Sequence, residues 1–146
     1  MADNKILNEI KATIAENKDF LEKTYGVQEI GVFGSFARGD NDTNSDIDIA
    51  ILLNSSVKNT FDIQIQHQNN IEKLLKKKVE VQAINSSRVD FSYRVISEGI
   101  IIHGYNNPFR VDFEVKTMQN YFDLMPFFKE YYEVLREQCL KGDFYA

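Results

Sequence analysis

Apolar residues recur along the chain at two alternating periods. From Lys5 to Tyr25, the residues Ile6, Ile10, Ile14, Leu21 and Tyr25 fall near one face at helical spacing, and Gly26 supplies a stop, which predicts one helix. Val27 to Phe33 is rich in β-branched and aromatic residues and ends at a glycine, which predicts a strand. Ile47, Ile49, Ile51 and Leu53 alternate with their neighbours and predict a second strand over 47–53. Thr60 to Lys77 returns to helical spacing, with Thr60 as N-cap and Phe61, Ile65, Leu74 and Leu75 turned inward. Val79, Val81 and Ala83 mark one side of a third strand that runs to Ile84. Ser87 and Asp90 have the spacing of a capping box and predict a short helix to Glu98. Gly99 then leads into a strand from Ile100 to His103.

The remainder reads differently. Asn107 and Pro108 form an N-cap and first-turn pair. Helical patterning runs to Leu124, is interrupted at Pro126, and resumes to Leu140 before Gly142, which predicts two C-terminal helices. Of the 11 Phe and seven Tyr, ten lie in the last 39 residues: Phe109, Phe113, Tyr121, Phe122, Phe127, Phe128, Tyr131, Tyr132, Phe144 and Tyr145. Two helices cannot hide so many rings against their own domain. One is expected to pack on the sheet and the other to face a partner. No repeat, low-complexity tract or linker divides the chain. The expected architecture is a single α/β (α+β) domain over 1–146, a small mixed sheet flanked by helices, with a core over 1–106 and C-terminal helices over 107–146.

Composition narrows the function classes. Hydrophobic residues make up 43% and charged residues 27% of 146 positions, ordinary for a soluble domain with a sizeable core. Apolar runs are only a few residues long, as at Ile100–Ile102, so no membrane span is expected. The N-terminus has no apolar stretch of signal-peptide type. The net charge of −5 argues against a diffuse binder of nucleic-acid backbone. The single cysteine, Cys139, has no disulfide or zinc partner and reads as a half-buried helix residue. These features point to the cytoplasm.

The chemistry concentrates in GVFGSFARGDNDTNSDIDIAILL, residues 31–53. Asp46 and Asp48 are two apart at the start of a strand, so alternation sends both carboxylates to one face. Like charges held together are costly unless a cation lies between them. Oxygen-only ligands on a rigid strand suit Mg²⁺, which shares itself with substrate phosphates. Upstream, Val32-Phe33 runs into Gly34-Ser35. Gly34 permits close backbone approach, and the N–H groups of the turn with the Ser35 hydroxyl make a phosphate site. Arg38, one turn on, is placed to reach the same anion. Two-metal chemistry needs a third carboxylate on a neighbouring strand, and Glu80, whose neighbours Val79 and Val81 point the other way, is the candidate. A calcium loop starting at Asp40 is rejected. Its sixth position is Ser45 rather than glycine, and its twelfth is Ile51 rather than glutamate.

The stretch Gly-Ser, ten residues, Asp-x-Asp over Gly34–Asp48 resembles the signature of the DNA polymerase beta-like nucleotidyltransferase superfamily. The short chain resembles its minimal nucleotidyltransferases (MNT), the antitoxin half of HEPN/MNT toxin–antitoxin pairs. The element order agrees with that family over residues 5–104, and 109–136 resembles the antitoxin branch more loosely. The resemblance implies that Gly34 and Ser35 hold the ATP triphosphate and that Asp46 and Asp48 bind two Mg²⁺. The family's third carboxylate is commonly aspartate, where this chain has Glu80. It further implies AMP transfer from ATP to a tyrosine of a HEPN ribonuclease toxin, which silences it, and a hetero-oligomer with that toxin. Two rivals share the signature: a transferase for a small acceptor of the aminoglycoside type, and an antitoxin that acts by binding alone. Outside the signature, His67 is expected to be solvated among Gln64, Gln66, Gln68 and Asn69, and His103 to be structural. Lys73, Lys76, Lys77 and Lys78 read as a solvated helix end.

Overall fold

The computed structural model describes residues 2–142, with side chains from Lys5 onward; Phe144 and Tyr145 of the aromatic-rich end lie outside the described residues. Four strands, β1 (Val27–Phe33), β2 (Ile47–Leu53), β3 (Val79–Ala83) and β4 (Ile100–His103), form one sheet in the order β3-β2-β1-β4. Six helices surround it: α1 (Ala2–Glu16), α2 (Lys18–Tyr25), α3 (Gly34–Arg38), α4 (Thr60–Leu75), α5 (Val89–Glu98) and α6 (Pro108–Lys141). β1 runs antiparallel to both β2 and β4, while β2 and β3 are parallel and joined across α4. The fold is the expected mixed sheet with flanking helices. Among the described residues no helix is long and apolar enough to cross a membrane.

Strand alternation sorts the side chains into two cores. Ile47, Ile49, Ile51 and Leu53 of β2 join Val79, Val81 and Ala83 of β3 on one face, packed under Ile10 and Ile14 of α1, Leu21 of α2 and Ile71 and Leu75 of α4. Ala50 and Leu52 face the other way, into a second cluster with Phe33, Ile84, Val95 of α5 and the half-buried Phe109 and Phe113 of α6. A register shift between Val27 and Glu29 changes the parity of β1, so that Val27 and Ile30 share the first core. β2 is therefore buried on both faces, and each fully buried isoleucine contributes about 1.5–3 kcal/mol. Three residues of α4 complete β3: Gln64, Gln68 and Glu72 accept hydrogen bonds from the backbone N–H groups of Ala83, Val81 and Val79 at 2.9, 3.0 and 3.1 Å.

Several boundaries differ from the expectation. The first helix is broken at Asn17, whose side-chain amide donates to the Thr13 carbonyl at 2.8 Å while its own N–H bonds to Ile14; α2 restarts from there. α4 starts after Asn59, which stands at the N-cap in place of Thr60, and ends at Lys76 with φ of 55°. Its inward row is His67, Ile71 and Leu75, while Phe61, Ile65 and Leu74 are exposed. β3 ends at Ala83, and Ile84–Ser86 form a 3-10 turn. There is no capping box at α5: the Ser87 hydroxyl donates to the Ala83 carbonyl instead, and the helix begins at Val89. The predicted pair of C-terminal helices is one 34-residue helix, capped as expected by Asn107 accepting from Phe109 N–H at 2.9 Å. An internal proline costs about 3 kcal/mol. Ring contacts span it here: Tyr121 stacks on Tyr93 at 3.8 Å and lies 6.0 Å from Phe128, beyond Pro126. Cys139 is exposed rather than half-buried.

Candidate active site

The site forms where β1 ends and β2 begins. Gly34 follows Phe33 with φ of +69°, a conformation L side chains rarely adopt. A Cβ at this position would collide with Asp48 Oδ2 and lie 3.1 Å from Asp48 Cγ. The backbone of the turn is thus pressed against the Asp48 carboxylate, and only glycine allows that approach. No side chain caps the start of α3, so the first N–H groups of Gly34–Arg38 carry no side-chain acceptor. The following loop is held by Asp42, which accepts from Asn44 N–H at 2.8 Å and from the Ser45 hydroxyl at 3.2 Å. Those polar groups serve the turn that delivers Asp46 and Asp48 to the strand.

In the register of the sheet, Asp48 stands between Phe33 of β1 and Glu80 of β3. Because Ile47, Ile49, Val79 and Val81 point into the first core, Asp48, Glu80 and Gln82 project to the opposite face. There α5 covers them in part. Phe33, Asp48, Glu80, Gln82, Phe91 and Arg94 line a cleft of about 260 Å³. The Asp48 carboxyl titrates above the ordinary carboxylate range, first through burial and then through the negative charges of Glu80 and Asp46; Arg38 and Arg94 oppose the shift. Asp46 lies just before β2, at the edge of the cleft. It borders a neighbouring hollow with Phe36, Lys77 and Lys78, and its Oδ2 is 3.9 Å from Lys78 Nζ.

The sequence-predicted residues are thus distributed unequally. Gly34, Asp48 and Glu80 meet at one place. Asp46 acts on it electrostatically from the rim. Arg38 is turned toward Asp40, 3.2 Å away, and Glu98, 3.6 Å away. Sequence reasoning missed Arg94, Gln82 and Phe91. Gln82 was deducible from its parity with Glu80, whereas Arg94 sits in a helix whose spacing carries no motif. Among the described residues no three acidic, histidine or cysteine side chains are close enough to cage a metal by themselves. The donor set still fits Mg²⁺, because that ion takes one or two carboxylates and completes its shell with water and phosphate oxygens. A cation there would relieve the repulsion that Glu80 and Asp46 exert on Asp48.

His67 and His103 sort differently from each other. His103 is structural, with Nε2 2.8 Å from Glu22 Oε1. His67, expected in solvent, is fully buried with neither ring nitrogen hydrogen-bonded, and its ring meets Tyr25 edge-on at 5.6 Å. Burial lowers its pKa to about 4.

Comparison with known proteins bears on the family and the fold. The family model described as "Polymerase beta, Nucleotidyltransferase" matches residues 15–108. A Methanocaldococcus jannaschii protein provisionally named a protein adenylyltransferase is 32% identical over 97 residues, covering 66% of this chain and 97% of that protein. A crystal structure of a toxin–antitoxin with AMP-PNP superposes with a TM-score of 0.70 at 23% identity, over 86% of this chain and 98% of the other. A Shewanella oneidensis complex of a tri-AMPylated HEPN toxin with MNT antitoxin gives a TM-score of 0.64 at 20% identity, over 92% and 98%. At those identities the two solved structures speak to the fold alone.

Proposed function

The chain belongs to the polymerase beta nucleotidyltransferase family, and from that premise we infer that it transfers AMP from ATP to a tyrosine hydroxyl of a HEPN-type toxin, silencing it in the cytoplasm. The observation that carries this reading is the convergence of the Gly34 turn, Asp48 and Glu80 on one open cleft. The N–H groups of the turn and the Ser35 hydroxyl bind the β- and γ-phosphates, with Arg38 alongside. Asp46, Asp48 and Glu80 would hold two Mg²⁺, which when bound neutralise phosphate charge and acidify the acceptor hydroxyl. The hydroxyl oxygen attacks the α-phosphorus. An oxygen–phosphorus bond forms as the bond from α-phosphorus to the pyrophosphate bridge breaks, and pyrophosphate leaves with the electron pair. Glu80 takes the hydroxyl proton. Positioning and charge neutralisation supply most of the rate, as in phosphoryl transfer generally.

The protein acceptor is supported by the AMPylated HEPN toxin in the Shewanella complex and by the adenylyltransferase name of the Methanocaldococcus relative. It is also supported by the far half of α6, where Phe127, Tyr131 and Tyr132 are 66%, 60% and 61% exposed. Calorimetry of ATP binding with and without Mg²⁺, on the wild type and on Asp46→Asn combined with Asp48→Asn, tests the nucleotide site. Metal-dependent binding should vanish in the double variant, and its survival would refute the assignment. Transfer of label from radioactive ATP to the co-expressed partner tests the acceptor.

A further inference from the structure

Arg94 is the group in the cleft that the sequence did not announce. Arg38, Arg88 and Arg110 each hold a carboxylate in an ion pair. Arg94 does not: among the described residues no carboxylate lies within 4.0 Å of its guanidinium, although Asp48 and Glu80 line the same cleft. The guanidinium is 5.6 Å from the centre of the Phe91 ring, which supports it from one side. Its charge reaches Asp48 without bonding to it.

Its position is as informative as its freedom. Arg94 lines the carboxylate cleft, and it also lines a larger groove of about 450 Å³ between α5 and α6, bordered by Tyr93, Ser97, Tyr121 and Tyr132. Phe91 and Arg94 are the two residues common to both hollows. A nucleotide anchored by its β- and γ-phosphates on the Gly34–Ser35 turn has its α-phosphate beside Asp48 and Glu80. Arg94, on α5, lines the same cleft as those two carboxylates, at the junction with the groove. An unpaired guanidinium offers parallel N–H groups in the fork that matches two phosphate oxygens.

We propose that Arg94 binds one of the two non-bridging oxygens of the α-phosphate of ATP, the phosphate that is transferred. The assignment rests on the nucleotide-transfer reading above. It distinguishes Arg94 from Arg38, which pairs with Asp40 and Glu98 one turn after Gly34–Ser35 and, in the proposed function, serves the phosphates that leave. Loss of Arg94 therefore weakens every nucleotide that carries an α-phosphate, AMP included, whereas loss of Arg38 weakens ATP and spares AMP.

The test is a binding series on the full chain with Mg²⁺, using ATP, AMP and the two diastereomers of ATP with sulfur on the α-phosphate. Arg94→Ala should weaken ATP and AMP alike by about tenfold or more, the range of a hydrogen bond to a charged group. Arg94→Lys should recover part of the loss. In the wild type, sulfur at the oxygen facing Arg94 should weaken one diastereomer; Arg94→Ala should then weaken the other diastereomer as it weakens ATP and leave the first almost unchanged, so that the sulfur penalty disappears in the variant. This non-additivity reports a direct contact, which a merely structural role would not produce. Wild-type affinity in Arg94→Ala, or sulfur effects that add to the substitution for both diastereomers, would overturn the proposal. Asp48→Asn in the same series separates the two readings. If it loses Mg²⁺-dependent ATP binding while Arg94→Ala does not, only the Arg94 assignment falls. If it binds ATP as the wild type does, the nucleotide site itself is misplaced and both fall.

Discussion

Asp48 and Glu80 are register partners on the parallel strands β2 and β3, and their carboxylates share the sheet face that α5 covers only in part. Their division of labour is testable. Asp48 also touches the Gly34 turn, whereas Glu80 is exposed; the proposed function assigns the first to nucleotide binding and the second to the acceptor hydroxyl. Glu80→Gln keeps the size of the side chain and removes its charge. ATP–Mg²⁺ affinity should change little, while AMP transfer should fall by roughly a hundredfold, the usual range for a positioned base. A radiolabelled transfer assay beside a binding titration checks both halves.

Gly34→Ala places a methyl group on the Asp48 carboxylate and forces alanine to a φ of +69°. The strain is about 1–3 kcal/mol. Thermal unfolding should therefore show a lowered Tm, and ATP binding should be lost more completely than stability. A variant that binds ATP normally would mean the turn does not approach the nucleotide.

The strands and the sheet face of the candidate site were legible for one shared reason: alternation is a local property. Ile47 to Leu53 announces both its buried face and the face on which Asp48 must lie, and β1, β2 and β4 occupy the predicted residues. What sequence could not show depends on contacts between distant segments. The run around His67 reads as solvated because Gln64, Gln66, Gln68 and Asn69 are polar, yet Gln64 and Gln68, with Glu72, give their oxygens to the backbone of β3. Pro126 looked like a break because its local cost is real, while the Tyr93–Tyr121 stack that helps hold α6 in place joins residues 28 positions apart. Arg94 gained meaning only once α5 was laid over β2 and β3.

Two buried groups give stability opposite dependences on pH. Glu29 on β1 faces Glu114 and Arg110 of α6, and burial with the Glu114 charge raises its pKa to about 8, against 4.5 ordinarily; Arg110 opposes the rise. Arg110 is itself held by Glu114 and by the Tyr105 carbonyl at 2.6 Å. The folded chain thus keeps a proton that the unfolded chain releases above pH 4.5. This contribution is complete below pH 4.5 and is lost as pH rises toward 8. Glu29→Gln should flatten that fall. At pH 8 its Tm should exceed the wild type by about 2–4 °C, what roughly 1 kcal/mol is worth for a chain of this size.

His67 acts in the other direction. Its pKa falls from 6.5 to about 4, so the unfolded chain gains a proton below pH 6.5 that the fold refuses until pH 4. Stability from this source is full above pH 6.5 and is lost as pH falls. His67→Leu removes two unsatisfied nitrogens from the core and should be neutral or stabilising at pH 7. Its acid-unfolding midpoint should shift to lower pH in a circular-dichroism titration.

The far half of α6 should carry the partner. Phe127→Glu with Tyr131→Glu alters only exposed side chains, so the circular-dichroism spectrum and Tm should hold. Co-purification with the toxin should drop by tenfold or more, because such interfaces concentrate their energy in a few aromatic anchors. Undiminished capture would place the interface elsewhere.

The three hydrogen bonds from α4 to β3 also decide how copies of this chain can meet. A sheet that ends in a bare strand is a template on which another chain can add, extending the ladder. At β3 that template is filled. Gln64, Gln68 and Glu72 present their oxygens to successive outward N–H groups as a neighbouring strand would present its carbonyls. Strand addition on the side next to the carboxylates would require breaking all three bonds, so association is steered away from this edge of the sheet.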